Sequence, residues 1–232
     1  MKFKNTEVCG FDYVVHFLLP LRENGVLSDS KWKGLCSVDN EWVDESCSYD
    51  ACLQCCEKIR EFFVGPNDLE VMRKLIKSDA DSQKFMDKIL VTVEITAPMY
   101  WWSVYNNTLS STYAVTQEPF SKPITIDCFE MGDFEVVGIS CISQYVETTI
   151  DWWDYVINAC EELRQKYLET KDKRYLKELI RLLPESWLQT RKVTLSYEDI
   201  LCLINQNNQS TEQSDVFMNW AKSLPYADRL LF

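Results

Sequence analysis

The sequence contains a single histidine, His16, and only six glycines in 232 residues. One imidazole cannot build a two-histidine metal site, and any Ser-His-Asp or Cys-His arrangement would have to use it. His16 sits among Val14, Val15, Phe17 and Leu18, the setting of a core or surface histidine rather than a general base. The scarce glycines form no phosphate-cradling loop of either common type. Long apolar runs are also missing, since no window reaches the roughly 18 uncharged residues that crossing a bilayer requires. The start, MKFKNTEVCGFDYVV, has neither the apolar core nor the small-residue cleavage site of a signal peptide. A cytoplasmic protein with no membrane partner is expected. Positive charge is short as well, with 24 basic against 36 acidic side chains and a net charge of −12. That balance repels polyanions and excludes a broad nucleic-acid surface, while a small ligand in a local pocket stays open.

Cysteine, by contrast, is abundant at ten residues, and Cys47, Cys52, Cys55 and Cys56 lie close together. Zinc sites usually pair two separated C-x-x-C units or combine cysteine with histidine, and neither pattern is available. Across YDACLQCCEKIREFF, Cys52, Cys55, Cys56, Ile59 and Phe63 recur at helical spacing, so the thiols read as part of a buried stripe with no metal, a redox role being the alternative. The acid pairs Glu161-Glu162 and Glu198-Asp199 are adjacent in sequence and diverge on a helix, which makes poor glycosidase-type partners. No independent catalytic constellation is present.

The order of elements predicts one α+β domain over residues 1–232, helix-rich and packed on a small mixed or antiparallel sheet. FDYVVHFLLPL reads as a helix up to Pro20, and Arg22 to Ser48 reads as a long loop or insertion. Gly65 and Pro66 separate the cysteine-rich helix from a second one that Asn67 can cap. In KILVTVEIT, Val91, Val93 and Ile95 alternate with Thr92, Glu94 and Thr96, the clearest strand in the chain. Pro98 ends it and opens a helix carrying Tyr100, Trp101 and Trp102. Residues 116–143 suggest loops and short strands. Asp151 is expected to cap a long helix that buries Trp153, Val156, Ile157, Cys160, Leu163 and Tyr167 and exposes Glu161, Glu162, Arg164 and Lys166. A further helix ends at Pro184, RKVTLSY is strand-like, EDILCLINQ follows it, and a last helix covers about Glu212 to Ser223.

Several strings resemble the flavin-dependent thymidylate synthases. QKFMDKILVTVEITAPMYWW is similar to that family's strand-to-helix passage, Leu183-Pro184 and Thr190 fall in its LP…T region, and Gln213, Asp215 and Val216 resemble its last helix. GPNDL, YLETKDK and SLPY look closer still to proteins of phages and prophages of Gram-positive bacteria, distant relatives of the synthase. The resemblance implies a synthase-like fold from about Asp68 to Phe232, a homo-oligomer that in this family is usually a tetramer, and, were activity retained, FAD as cofactor. The family's R-H-R-x-x-S-x-N-E-x-S-x-R-Y signature is not retained. Tyr105, Asn106 and Asn107 stand where R-H-R would be, Ser110 falls on the first serine, and Thr112, Tyr113, Val115, Gln117 and Glu118 occupy the rest. Ser196, Tyr197, Glu198 and Asp199 lie where a second arginine is expected. A phosphate monoester needs several cationic donors, so loss of these arginines argues against the inherited chemistry.

Two readings of the aromatic helix follow. In one, Tyr100, Trp101 and Trp102 are a helical turn packed in the core and over an oligomer contact. In the other, one ring is the stacking wall of a pocket that Tyr105, Asn106, Asn107, Ser110 and Ser111 line with neutral groups. The resulting expectation is a non-catalytic, cytoplasmic, homo-oligomeric nucleotide-binding protein of phage type with a thymidylate synthase-like fold and no cofactor. Its use would be sequestration of a nucleotide immune signal. The alternatives are an active divergent synthase that uses FAD, with phosphate arginines moved to Arg174, Arg181 or Arg191, and a structural or protein-interaction module.

Overall fold

A computed structural model describes residues 1–18, 27–35, 42–44, 60–78, 82–108, 114–115, 122–136, 146–206 and 212–232. In order, the elements are β1 (Lys2–Cys9), α1 (Phe11–Leu18), β2 (Lys31–Leu35), β3 (Trp42–Asp44), β4 (Arg60–Phe63), α2 (Pro66–Ser78), a 3-10 segment (Ser82–Lys88), β5 (Leu90–Pro98) and α3 (Met99–Thr108). There follow β6 (Ala114–Val115), α4 (Lys122–Thr125), a 3-10 turn (Met131–Asp133), α5 (Val146–Thr170), α6 (Lys173–Leu182), β7 (Leu188–Ser196), α7 (Tyr197–Gln206), α8 (Glu212–Lys222) and α9 (Ala227–Leu230).

The alternation in β5 does what its sequence dictates: Val91, Val93, Ile95 and Ala97 are fully buried, while Thr92, Glu94 and Thr96 stay partly open. Its neighbour β7 repeats the pattern with threonines on the open face. Thr92 pairs with Thr194 at 3.3 Å and Thr96 with Thr190 at 2.7 Å, one number rising by four as the other falls by four, the signature of an antiparallel register. The sheet order is β1-β5-β7-β6, and a second sheet has the order β3-β2-β4. The polar strand β1 was not anticipated. It lies at a sheet edge, where pairing rather than burial defines the strand and where Lys2 and Lys4 discourage further pairing.

The chain divides into two compact units, Met1–Thr6 with Thr92–Thr194, and Glu7–Val91 with Leu195–Phe232. In the first, α5 and α6 pack together, and Phe129, Phe134, Val156, Cys160, Leu179, Leu183 and Trp187 form a core cluster. In the second, buried positions include Phe11, Val14, Val15 and Leu18 of α1, Met72 of α2, Tyr197, Ile200 and Leu203 of α7, and Phe217, Trp220 and Ala221 of α8.

Three expectations need correction. Arg60–Phe63 is a strand paired antiparallel with β2, not the end of a helix, because cross-strand partners from Lys31 to Gly34 are available to it. Residues 22–48, expected as a long loop or insertion, include β2 and β3. Helix α5 begins at Val146, so Asp151 lies within it rather than capping it. The cap of α2 is not Asn67 but Asp29, whose carboxylate accepts the N–H groups of Asn67 at 3.0 Å and Asp68 at 3.4 Å. Gly65 makes room for this, since a Cβ there would sit 2.1 Å from Asp29 Oδ1. Cys47, Cys52, Cys55 and Cys56 lie outside the described residues. Among the described residues no group of side chains could hold a metal ion, and Cys9, Cys128, Cys160 and Cys202 are free thiols.

Candidate functional site

Helix α3 is tied down at its start by a neighbouring turn: Met99 N–H donates to the Trp187 carbonyl at 3.0 Å and Tyr100 N–H to that of Glu185 at 3.1 Å. Those bonds satisfy donors that a helix start leaves unpaired. The consecutive rings then fan out by about 100° per residue. Tyr100 is 39% exposed, its hydroxyl donating to Glu135 Oε2 at 2.5 Å. Trp102 is fully buried, its indole N–H shared between the carbonyls of Ala97 and Gln189 at 3.1 Å. Trp101 is half-buried, 4.9 Å from the Trp102 ring and 5.2 Å from that of Tyr105, which is itself buried. Trp102 and Tyr105 are thus core rings, while Tyr100 and Trp101 keep accessible surface. Asn106 is exposed, Asn107 lies within the helix, and Ser110 and Ser111 fall outside the described residues.

Strand β7 contributes two polar residues on the face that also carries Val193 and Leu195. Gln189 is buried. The Arg191 guanidinium lies 4.4 Å from the Trp102 ring centroid, and its Nε and Nη2 donate to Gln189 Oε1 at 3.2 and 2.7 Å. No carboxylate pairs with Arg191 among the described residues. Burial pushes its pKa down, with Tyr105 acting in the opposite direction. A ring face contributes about 0.5–2 kcal/mol to such a cation, and most buried charges also have an acid partner. The arrangement therefore holds one cation in place and leaves it able to meet an anion.

Arg174, Arg181 and Arg164 are committed elsewhere. Arg174 pairs with Asp172, which caps α6, at 2.6 Å, and Arg181 with Glu178 at 3.6 Å, both arginines being exposed. Arg164 was expected to face water and is instead 3% exposed. Its Nε and Nη2 fork onto Glu161 at 2.8 and 2.7 Å, Nη1 donates to the Ile126 carbonyl at 2.9 Å, and Nη2 also reaches the Asp127 carbonyl. Glu161 further accepts from Gln165 and from the Phe129 N–H, and this company, Arg164 foremost, draws its carboxyl down to about 2. The clasp fixes residues 126–129 on α5 and commits four of the five guanidinium N–H donors within the fold.

The acids standing at the second arginine position also have a local task. Ser196 N–H donates to Asp199 Oδ2 at 2.9 Å and Asp199 N–H to Ser196 Oγ at 3.0 Å, a reciprocal cap on α7. Glu198 titrates higher than usual, first through burial and then through the charges of Asp87 and Asp199, with Lys84 opposing.

These elements make up an α+β fold of the flavin-dependent thymidylate synthase kind. Two crystal structures of that synthase from Helicobacter pylori with FAD and dUMP match it, each with a TM-score of 0.51, at 13% and 12% identity, covering 72% of this chain and 82% and 83% of theirs. A UMP/dUMP methylase from Streptomyces cacaoi bound with 5-Br UMP gives a TM-score of 0.48 at 13% identity over 71% of this chain and 86% of that one. No protein-family model and no curated protein matches the sequence. Identity at this level carries the fold and leaves the chemistry to be argued from the site.

Proposed function

We propose that the protein binds a nucleotide-like small molecule at the face formed by α3 and β7 and does not turn it over. The observation that carries this reading is Arg191, a cation stacked on a buried indole without an acid partner among the described residues, beside the accessible rings of Trp101 and Tyr100. Rings of this kind stack on nucleobases, and a lone guanidinium matches one negative charge. A nucleoside or a cyclised phosphodiester fits that balance better than a terminal phosphate, which carries more charge. The pyrophosphate of FAD asks for several cationic donors, and the one that Arg191 supplies favours a smaller charge than that of the dinucleotide. Binding without turnover suits sequestration, in which a tight binder depletes its ligand by mass action. For a phage-borne protein the ligand would be a nucleotide immune signal of the host, and the protein would act as a homo-oligomer in the cytoplasm.

The test is the melting temperature of the full chain against nucleosides, nucleoside monophosphates and cyclic phosphodiesters. A shift with a cyclic or uncharged ligand that disappears in Arg191→Met supports the reading. Trp101→Ala should weaken binding roughly 5- to 150-fold, the equivalent of about 1–3 kcal/mol for one stacked base. Copurification of a yellow flavin with dUMP-dependent oxidation of its reduced form would establish the synthase instead. The absence of any shift would leave a protein-interaction module.

A further inference from the structure

The second unit carries a cavity of about 300 Å³ that has no part in the α3–β7 face. Phe11, Trp32, Phe62 and Tyr226 line it, Asp12 stands on its wall, and no Lys, Arg or His is among its lining residues. Glu61 also borders it, but the register that pairs Trp32 with Phe62 places Glu61 opposite Lys33 on the other face of the sheet. The facing carboxylate is therefore that of Asp12, which has no ion-pair partner among the described residues.

The walls are held from several directions. Trp32 and Phe62 meet edge to face across β2 and β4 at 5.3 Å, and Phe11 meets Tyr226 the same way at 5.2 Å. Tyr226 has a left-handed backbone, φ 56°, uncommon for a non-glycine residue, and its hydroxyl accepts the Val64 N–H at 2.9 Å. Gly10, with φ +100°, passes so close to the Lys88 carbonyl that a Cβ would lie 2.0 Å from its oxygen. Despite these ties Trp32 remains 39% exposed. Ring faces carry negative potential and the only facing charge is an acid, so the cavity disfavours anions and favours an organic cation. Its volume is at the lower bound for small-molecule sites.

From this aromatic and singly acidic lining we infer that the cavity binds a small alkylated ammonium compound, separately from any nucleotide-like ligand. The test titrates the full chain with choline and, in parallel, with 3,3-dimethylbutan-1-ol, its uncharged carbon isostere of the same shape. Saturable choline binding is expected, with the isostere weaker by roughly 2- to 30-fold, the range a cation over aromatic rings provides. Trp32→Ala should abolish binding and Asp12→Asn should weaken it, while Arg191→Met should leave it unchanged. Should Trp32→Ala fail to fold, the isostere comparison on the unmodified protein and the exposed Asp12→Asn variant decide alone. No saturable choline binding at millimolar concentration, or equal binding of the isostere, would overturn the inference.

Discussion

A guanidinium that loses water on folding without gaining a carboxylate raises the free energy of the native state, and among the described residues Arg191 is placed that way. Arg191→Met keeps the stem length and the contact with Trp102 but leaves buried Gln189 Oε1 without its two donors, so the double variant Arg191→Met with Gln189→Leu, which removes both partners, should melt at the same temperature or higher while losing the nucleotide-like ligand. A fall in melting temperature would mean that the cation serves packing. Arg164 presents the opposite case. It is buried but answered by Glu161 and two carbonyls, and its substitution would strand an acid at a cost of about 3–5 kcal/mol. The pH dependence follows with a definite sign. Glu161 titrates near 2 in the folded chain against 4.5 as its ordinary value, so its contribution is full above that ordinary value and drains away as pH falls toward 2. Denaturant midpoints measured across that window should fall more steeply for the unmodified protein than for Glu161→Gln. Parallel slopes would show that the clasp is not what acid breaks.

At the scale of elements, what could be read in advance was whatever local periodicity decides. Strand β5 announced itself because each Val or Ile alternates with a Thr or Glu, and the end of α6 because Pro184 follows it. Strand β4 was hidden, since Ile59 and Phe63 continue the cysteine spacing of a helix, and only the long-range partner β2 makes Arg60–Phe63 extended. Arg164 was misplaced for a related reason: its position on α5 looks solvated until residues 126–129 fold over it. At the site, the aromatic helix was visible and the inward turn of Arg191 was not, because an arginine flanked by Thr190 and Lys192 reads as part of a wet strand. The cap of α2 gives a prediction at this scale. Asp29→Ala should cost about 1 kcal/mol, within the usual 0.5–2 for a lost cap, while Asn67→Ala should stay within about 0.5. Urea unfolding of the two variants ranks them directly, and a larger loss at Asn67 would return the cap to the residue that sequence alone suggests.

For the molecule as a whole, charge and exposed apolar surface pull in opposite directions. Each chain carries a net charge of −12, which repels a second copy as well as any polyanion. Yet Tyr155 is 68% exposed on α5, Val104 58% on α3 and Phe17 60% on α1, and side chains of this size at a surface favour association. If copies of the chain assemble through such residues, apolar contact is the attractive part and like charge the opposing one. Salt then has a predictable effect: raising ionic strength from about 0.1 M to about 1 M shortens the screening length from roughly 10 Å to 3 Å and removes the repulsion while leaving the apolar contact. Sedimentation velocity should accordingly show larger species as salt rises, and Tyr155→Asp or Val104→Asp should shift the distribution back toward monomer. An assembly that dissociates in high salt would have to be held by ion pairs, and a monomer at every ionic strength would leave these side chains exposed in the working protein.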